Sequence, residues 1–185
     1  NPLLQDLLRL YNTLTVDAAS SNGGTLRVNT GGTLVLSAGN FSNTGAIIIA
    51  AGVYMSMADA TTLTNSGSIS ITSTSASFGA LKLNGTYTPS GLGAVTYGRY
   101  IIGVSFGDYW DLIGAPTSGT DAADFIGDNG DIAENSVDYG IGPYNNNLHT
   151  WTTWSISDAI TNGDLTSGKG YQMAQGDAGA AMEFT

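Results

Sequence analysis

The residues able to do chemistry lie mostly in the second half of this chain. Asp121, Asp124, Asp128, Asp131 and Glu134, with Asn129 among them, form its densest acidic stretch. Hard oxygen ligands of this kind suit calcium, which takes six to eight oxygens. The spacing is not that of an EF-hand loop, although Asp128-Asn-Gly-Asp131 is loop-like. A solvated acidic loop is the competing reading, and calcium is the one cofactor the sequence suggests. Trp110, Trp151, Trp154, Tyr139 and Tyr144 form the aromatic set. Exposed aromatic rings beside Asp and Asn make stacking platforms for sugars, while core packing is the commoner use of Trp. Trp151 and Trp154 differ by three positions, so on a strand they face opposite sides, one inward and one outward. The candidate ligand-binding residues are therefore Trp151, Trp154, Tyr144 and Trp110.

No catalytic set emerges. Gly103-Val-Ser-Phe-Gly107 matches the nucleophile-elbow pattern, with acids and His149 following it. The pattern has mechanical meaning only at a strand-to-helix turn on a parallel sheet flanked by long helices. Nothing in this sequence reads as that fold. His149, the only His, sits between Leu148 and Thr150 and reads as a surface or packing residue. The twelve acids of residues 103–185 give too many pairs to single out the two carboxylates of a glycosidase. The expectation is that the chain is not an enzyme.

Composition narrows the classes further. The 185 residues include 26 Gly and no Cys, and only 11% are charged. An average globular chain is about 25% charged. The absence of Cys excludes disulfides, thiolate catalysis and Cys-based metal sites, without placing the protein inside the cell. A net charge of −10 with five scattered basic residues argues against a nucleic-acid backbone as partner. No apolar run approaches the 18 or so residues of a membrane span. Charge is divided unevenly. Residues 1–102 carry a net +1, whereas residues 103–185 carry −11 and all three Trp.

The elements that would position these residues are short strands. Phe41-Ser-Asn-Thr-Gly-Ala-Ile-Ile-Ile49 is nearly repeated 22 residues later by Leu63-Thr-Asn-Ser-Gly-Ser-Ile-Ser-Ile71. A self-similar unit of that length points to a solenoid whose coils stack. Apolar pairs at i, i+2 recur at Leu14/Val16, Leu26/Val28, Leu34/Leu36, Ile47/Ile49, Met55/Met57, Ile69/Ile71, Leu81/Leu83 and Val95/Tyr97. Each pair puts two side chains on one face of a strand. As far as Ile69 the gaps alternate between 8 and 12–14 residues, and a coil takes 21–22 residues, as Leu26→Ile47 and Ile47→Ile69 show. Gly-rich corners such as Asn22-Gly-Gly24 turn the chain, and Asn43 and Asn65, equivalent in consecutive coils, are placed to stack as a ladder. Ahead of the repeats, Leu3, Leu4, Leu7, Leu8 and Tyr11 follow helical spacing after Asn1-Pro2, which predicts a capping helix over residues 1–13. Asp6 and Arg9 interrupt this segment, so it does not read as a signal peptide.

The expected fold is all-β: a right-handed β-solenoid of about four coils over residues 14–102 with its N-terminal capping helix, then a small acidic, Trp-containing β-rich module over residues 103–185. In that module Asp121–Ile126 reads as one helical turn, and Tyr139–Tyr144, Thr150–Ser157 and Gly170–Ala174 as strands, with Asn145–Asn147 a turn. The final Ala181-Met-Glu-Phe-Thr185 is strand-like and suggests a piece of a longer polypeptide.

Leu81-Lys-Leu-Asn-Gly-Thr-Tyr87, Tyr109-Trp-Asp-Leu-Ile-Gly-Ala-Pro-Thr-Ser-Gly119, Tyr144-Asn-Asn-Asn147 and Leu165-Thr-Ser-Gly-Lys-Gly-Tyr171 occur in this order. Their ordered set resembles the large secreted and cell-surface proteins of Bacteroidota bacteria that carry solenoid repeats and often end in a type IX sorting domain. The resemblance covers most of residues 14–185, and a sorting domain is not part of the matched motifs. It implies an extracellular or surface-anchored, adhesin-like protein. The leading expectation is a structural or adhesive segment able to assemble into a stalk or filament. Its partners would be extracellular polysaccharide or neighbouring copies of itself, as a homo-oligomer or filament. A carbohydrate-binding module is the alternative, and a polysaccharide-acting enzyme the weakest one.

Overall fold

All eight apolar pairs lie on strands, and their alternation explains the architecture. The computed structural model describes residues 7–101, 103, 110–176 and 179–185. The chain divides into two compact units, Asn1–Gly98 and Arg99–Thr185.

The first unit is a β-solenoid of about four coils, each with three short strands. The first coil holds β1 (Leu7–Leu10), β2 (Thr13–Val16) and β3 (Ser20–Asn22). The second holds β4 (Thr25–Val28), β5 (Thr33–Leu36) and β6 (Asn40–Asn43). The third holds β7 (Ala46–Ile49), β8 (Tyr54–Met57) and β9 (Thr62–Asn65). The fourth holds β10 (Ser68–Ile71), β11 (Ala80–Leu83) and β12 (Thr86–Pro89), and β13 (Ala94–Ile101) opens a further turn. Corresponding strands pair parallel and in strict register: Leu26, Ile47, Ile69 and Val95 form one column, and Leu14, Leu34, Met55 and Leu81 another. Inward positions alternate with outward ones along every central strand, so Leu34, Ile47, Met55, Leu63 and Ile69 are fully buried. Each such side chain contributes about 1.5–3 kcal/mol by leaving water.

The 8-residue gaps are the step from the first face to the second. The long gaps hide a third face. Its strands carry one apolar inward residue, Phe41 or Leu63, followed by a buried Asn. That single polar substitution conceals the strand from an apolar i, i+2 search. The fourth coil is longer because residues 72–79 insert a small excursion between β10 and β11, closed by a Ser73–Phe78 bridge and a Thr74 N–H donating to Ser77 O at 2.7 Å.

The N-terminal capping helix is not confirmed. Leu7–Leu10 is a strand paired with β4, Leu8 opposite Leu26 and Leu10 opposite Val28; residues 1–6 lie outside the described residues. The helical stripe Leu7/Tyr11 is exposed, while Leu10, which is not in that stripe, is buried. The reason is that an isolated helix of this length is marginal in water, whereas a strand laid on the open coil pairs its backbone, buries Leu10 and half-buries Leu8.

The second unit is a small antiparallel β module with two helices. Its larger sheet runs β14 (Asp111–Gly114), β20 (Gly170–Met173), β17 (Ile141–Asn145), β18 (Thr150–Trp151). A three-stranded sheet joins β15 (Glu134–Asn135), β16 (Asp138–Tyr139) and β19 (Trp154–Ser155), and β21 (Ala180–Phe184) is the last strand. The helix expected at Asp121 forms as α1 (Ala122–Asp128), with the Asp121 carboxylate accepting from Ala123 N and Asp124 N. Asn129, just after it, holds β21: its Nδ2 donates to Glu183 O at 3.1 Å and its Oδ1 accepts from Glu183 N at 2.8 Å.

The second helix, α2 (Ile156–Asn162), replaces part of the strand expected over 150–157. Its signal is a capping box, in which Ser155 Oγ accepts from Asp158 N and Asp158 accepts from Ser155 N. These hydrogen bonds from the Ser155 hydroxyl and backbone N–H favour the charged carboxylate and hold the Asp158 pKa below its ordinary value. A depressed folded-state pKa means the cap is at full strength above the ordinary Asp pKa of about 3.9 and is lost as pH falls through the folded value. In an NMR titration Asp158 is expected to titrate below a normal Asp, and Ser155→Ala to return it to the normal range. A normal titration in the parent protein would show that the box is open in solution.

Candidate functional site

The solenoid interior contains a polar device, a column of buried asparagines. Asn22, Asn43 and Asn65 are all fully buried and stack along the axis. Asn22 Nδ2 donates to Asn43 Oδ1 at 2.8 Å, and Asn43 Nδ2 donates to Asn65 Oδ1 at 2.7 Å. The same amides donate to the first carbonyl of the strand that follows the next rung, at Ala46 O, Ser68 O and Ala94 O. Asn65 Nδ2 ends the series on the Tyr87 hydroxyl at 3.2 Å, because Pro89 stands where a fourth Asn would pair. The Asn43–Asn65 ladder anticipated from the repeat is thus present, and Asn22, read from the sequence as part of a glycine corner, is its third rung.

The glycines two residues on form a matching column. A Cβ on Gly45 would overlap Gly24 O, and one on Gly67 would overlap Gly45 O. Neither has a positive φ, so close approach of the coils, not backbone twist, demands glycine there. The repeated Asn-x-Gly is therefore scaffold.

The aromatic candidates separate by burial, although Trp151 and Trp154 lie on β18 and β19 of different sheets and not on the single strand expected over 150–157. Trp154 is only 5% exposed and packs edge-on against Tyr171 at 5.6 Å between centroids, so it is a core residue. Trp151 and Tyr144 are each 38% exposed and face one another across β17 and β18, with centroids 5.2 Å apart and planes at 65°. Trp110, 41% exposed, precedes β14. The hairpin joining β17 to β18 is held by Asn145 Oδ1, which accepts from Asn147 N and Leu148 N. His149 closes that turn, exposed and with φ of 53°, and takes no part in the aromatic pair's contact. Sequence reasoning missed Leu112, which is exposed on the face that also bears Tyr144. Only the cross-strand register brings these residues together.

Three acidic candidates, Asp121, Asp124 and Asp128, line one open depression beside α1 together with Glu183, Asp131 lines a second with Asp128, and Glu134 lines neither. Asp121 serves as the cap of α1, Asp124 and Asp128 lie on that helix, Asp131 follows it, and Glu134 is on β15. Among the described residues no three His, Asp or Glu side chains form a metal-sized group. Of the Gly103–Gly107 motif, residues 104–107 lie outside the described residues; Gly103 itself bridges Gln175. Among the described residues no helix is long and apolar enough to cross a membrane.

These features define an all-β protein with a β-solenoid and a small module bearing an exposed Tyr–Trp pair. Comparison with family models, curated proteins and solved structures finds no match.

Proposed function

We propose that this chain is a non-enzymatic structural and adhesive segment of an extracellular bacterial surface protein, of the kind found in Bacteroidota type IX secretion substrates. The observation that carries the reading is the solenoid's interior. Its three faces are filled by side chains in register and locked by a buried Asn ladder, leaving a stiff scaffold with outward rows of Ser and Thr. A right-handed coil fits the usual sense of parallel crossovers. Neighbouring copies are one proposed partner, since coil edges offer unpaired backbone for end-to-end packing into a filament. Electron microscopy of the purified chain tests this: ordered filaments support assembly, and monodisperse single particles at high concentration count against it. Protease shaving of intact cells tests the surface location.

A carbohydrate-binding module is the second reading, favoured by the exposed Tyr144–Trp151 pair. Enzymatic action on a polysaccharide is the weakest. Over residues 14–98 the solenoid carries only Asp17, Arg27, Asp59 and Lys82 as charges, and a reducing-sugar assay that detects release would overturn the non-enzymatic reading. Calcium on the acidic stretch Asp121–Glu134 stays a proposal, supported if EDTA lowers the melting temperature and rejected if it does not.

A further inference from the structure

We infer that the outer face of the β14-β20-β17-β18 sheet binds the uncharged rings of a polysaccharide chain. This rests on the carbohydrate-binding reading above and gives it a place. Directly opposed residues of antiparallel strands point to the same face. Gly114 lies opposite Gly170. Continuing the β17–β20 register by one residue sets Gly170 opposite Tyr144, which is opposite Trp151. One row across the sheet therefore has two residues without side chains, then two exposed rings.

The fold does not require either glycine. Neither has a positive φ. A Cβ at Gly170 would meet nothing within 4 Å, and one at Gly114 would meet only Lys169 O at 3.8 Å. Glycine inside a strand marks a bulge or the close approach of another backbone or a ligand; Gly114 and Gly170 stand at strand ends, closing β14 and opening β20, where they leave the face bare. Gly142, one row over, shows the backbone case: its Cβ would overlap Thr152 O. No backbone approaches Gly114 or Gly170 so closely, so the bare strip beside the two rings is open to a ligand. The tilted ring pair walls one end of the strip, and Leu112, 67% exposed, flanks the other.

The chemistry of the face selects the ligand class. Of its other residues only Leu112 is open, since Gly142 and Gln172 are buried beneath the Thr152 backbone; all three are uncharged, in a half of the chain whose net charge is −11. An anionic glycan would be repelled by that field, whereas the C–H faces of neutral sugar rings stack on Trp and Tyr. Three strand spacings of about 4.8 Å make the row roughly 14 Å long, enough for several linked sugars.

Affinity electrophoresis and calorimetry of the full chain against laminarin, xyloglucan, dextran and alginate test the site. At least one neutral polysaccharide is expected to bind, and alginate not. Trp151→Ala is expected to weaken binding about tenfold or more. Gly170→Val, whose side chain enters open space and leaves the melting temperature unchanged, is expected to weaken it similarly by filling the strip. Equal binding by the parent and both variants would overturn this site while leaving the carbohydrate-binding reading intact. Binding to alginate alone would overturn the assigned chemistry, and binding to none of the four would overturn both.

Discussion

Asn43→Asp is expected to destabilise the solenoid by about 3–5 kcal/mol at neutral pH and by much less in acid. Asn43 is the centre of the ladder: its Oδ1 accepts from Asn22, and its Nδ2 donates to Asn65 Oδ1 and to the Ser68 carbonyl. A carboxylate keeps the first bond and turns the second into two facing oxygens at a fully buried site. Among the described residues the inward neighbours are apolar side chains and amides, so the charge gains no cationic partner there. Burial and the opposed oxygens would raise the pKa of the introduced carboxyl above the ordinary Asp value. A raised folded-state pKa means the protonated form is the tolerated one, so the penalty is fully present at high pH and shrinks as pH falls through the folded value. Protonation also restores a donor toward Asn65. Urea melts of parent and variant between about pH 4 and pH 8 measure this. A penalty independent of pH would show that water or a shifted backbone solvates the site, against the dry ladder described above.

Gly67→Ala is expected to cost about 3 kcal/mol or more, enough to remove much of the 5–15 kcal/mol typical of a folded domain. The added methyl would enter the space of Gly45 O, which itself accepts the Ser68 N–H at 2.9 Å. Relief requires separating adjacent coils at this corner, which lengthens that bond and strains the Asn43–Asn65 amide contact beside it. Rigid stacking leaves little room for local adjustment. Gly130→Ala is the control. Its Cβ would meet nothing within 4 Å and its φ is not positive, so the change should stay within about 0.5 kcal/mol. Similar melting temperatures for the two variants would mean that the corner is looser than the stacked coils imply. The two predictions share one structural unit, Asn-x-Gly, so Asn43→Asp and Gly67→Ala should also be non-additive.

What the sequence by itself determined here is the repeat. Strand periodicity is local: two apolar residues at i, i+2 report one buried face whatever lies around them, so Leu26/Val28 or Ile47/Ile49 could be assigned without knowing their neighbours. The 21–22-residue period then implied stacking, and the equivalence of Asn43 and Asn65 implied a ladder. One of Trp151 and Trp154 is exposed and the other buried, as expected, but they lie on different strands of different sheets, so tertiary placement and not the alternation of one strand separates them. The tertiary structure decided what depends on partners far away in sequence. The segment at Leu7–Leu10 has a helical pattern of its own, yet an open coil supplied a template that a short helix could not match. The third face was hidden because its second inward position is Asn, acceptable inside only when another coil's Asn lies one rung away. Ser155-x-x-Asp158 is a capping signal that the strand reading of Thr150–Ser157 left unused. The bare strip of Gly114 and Gly170 beside Tyr144 and Trp151 exists only through cross-strand register among four strands spread over residues 111–173, a relation that sequence spacing does not encode.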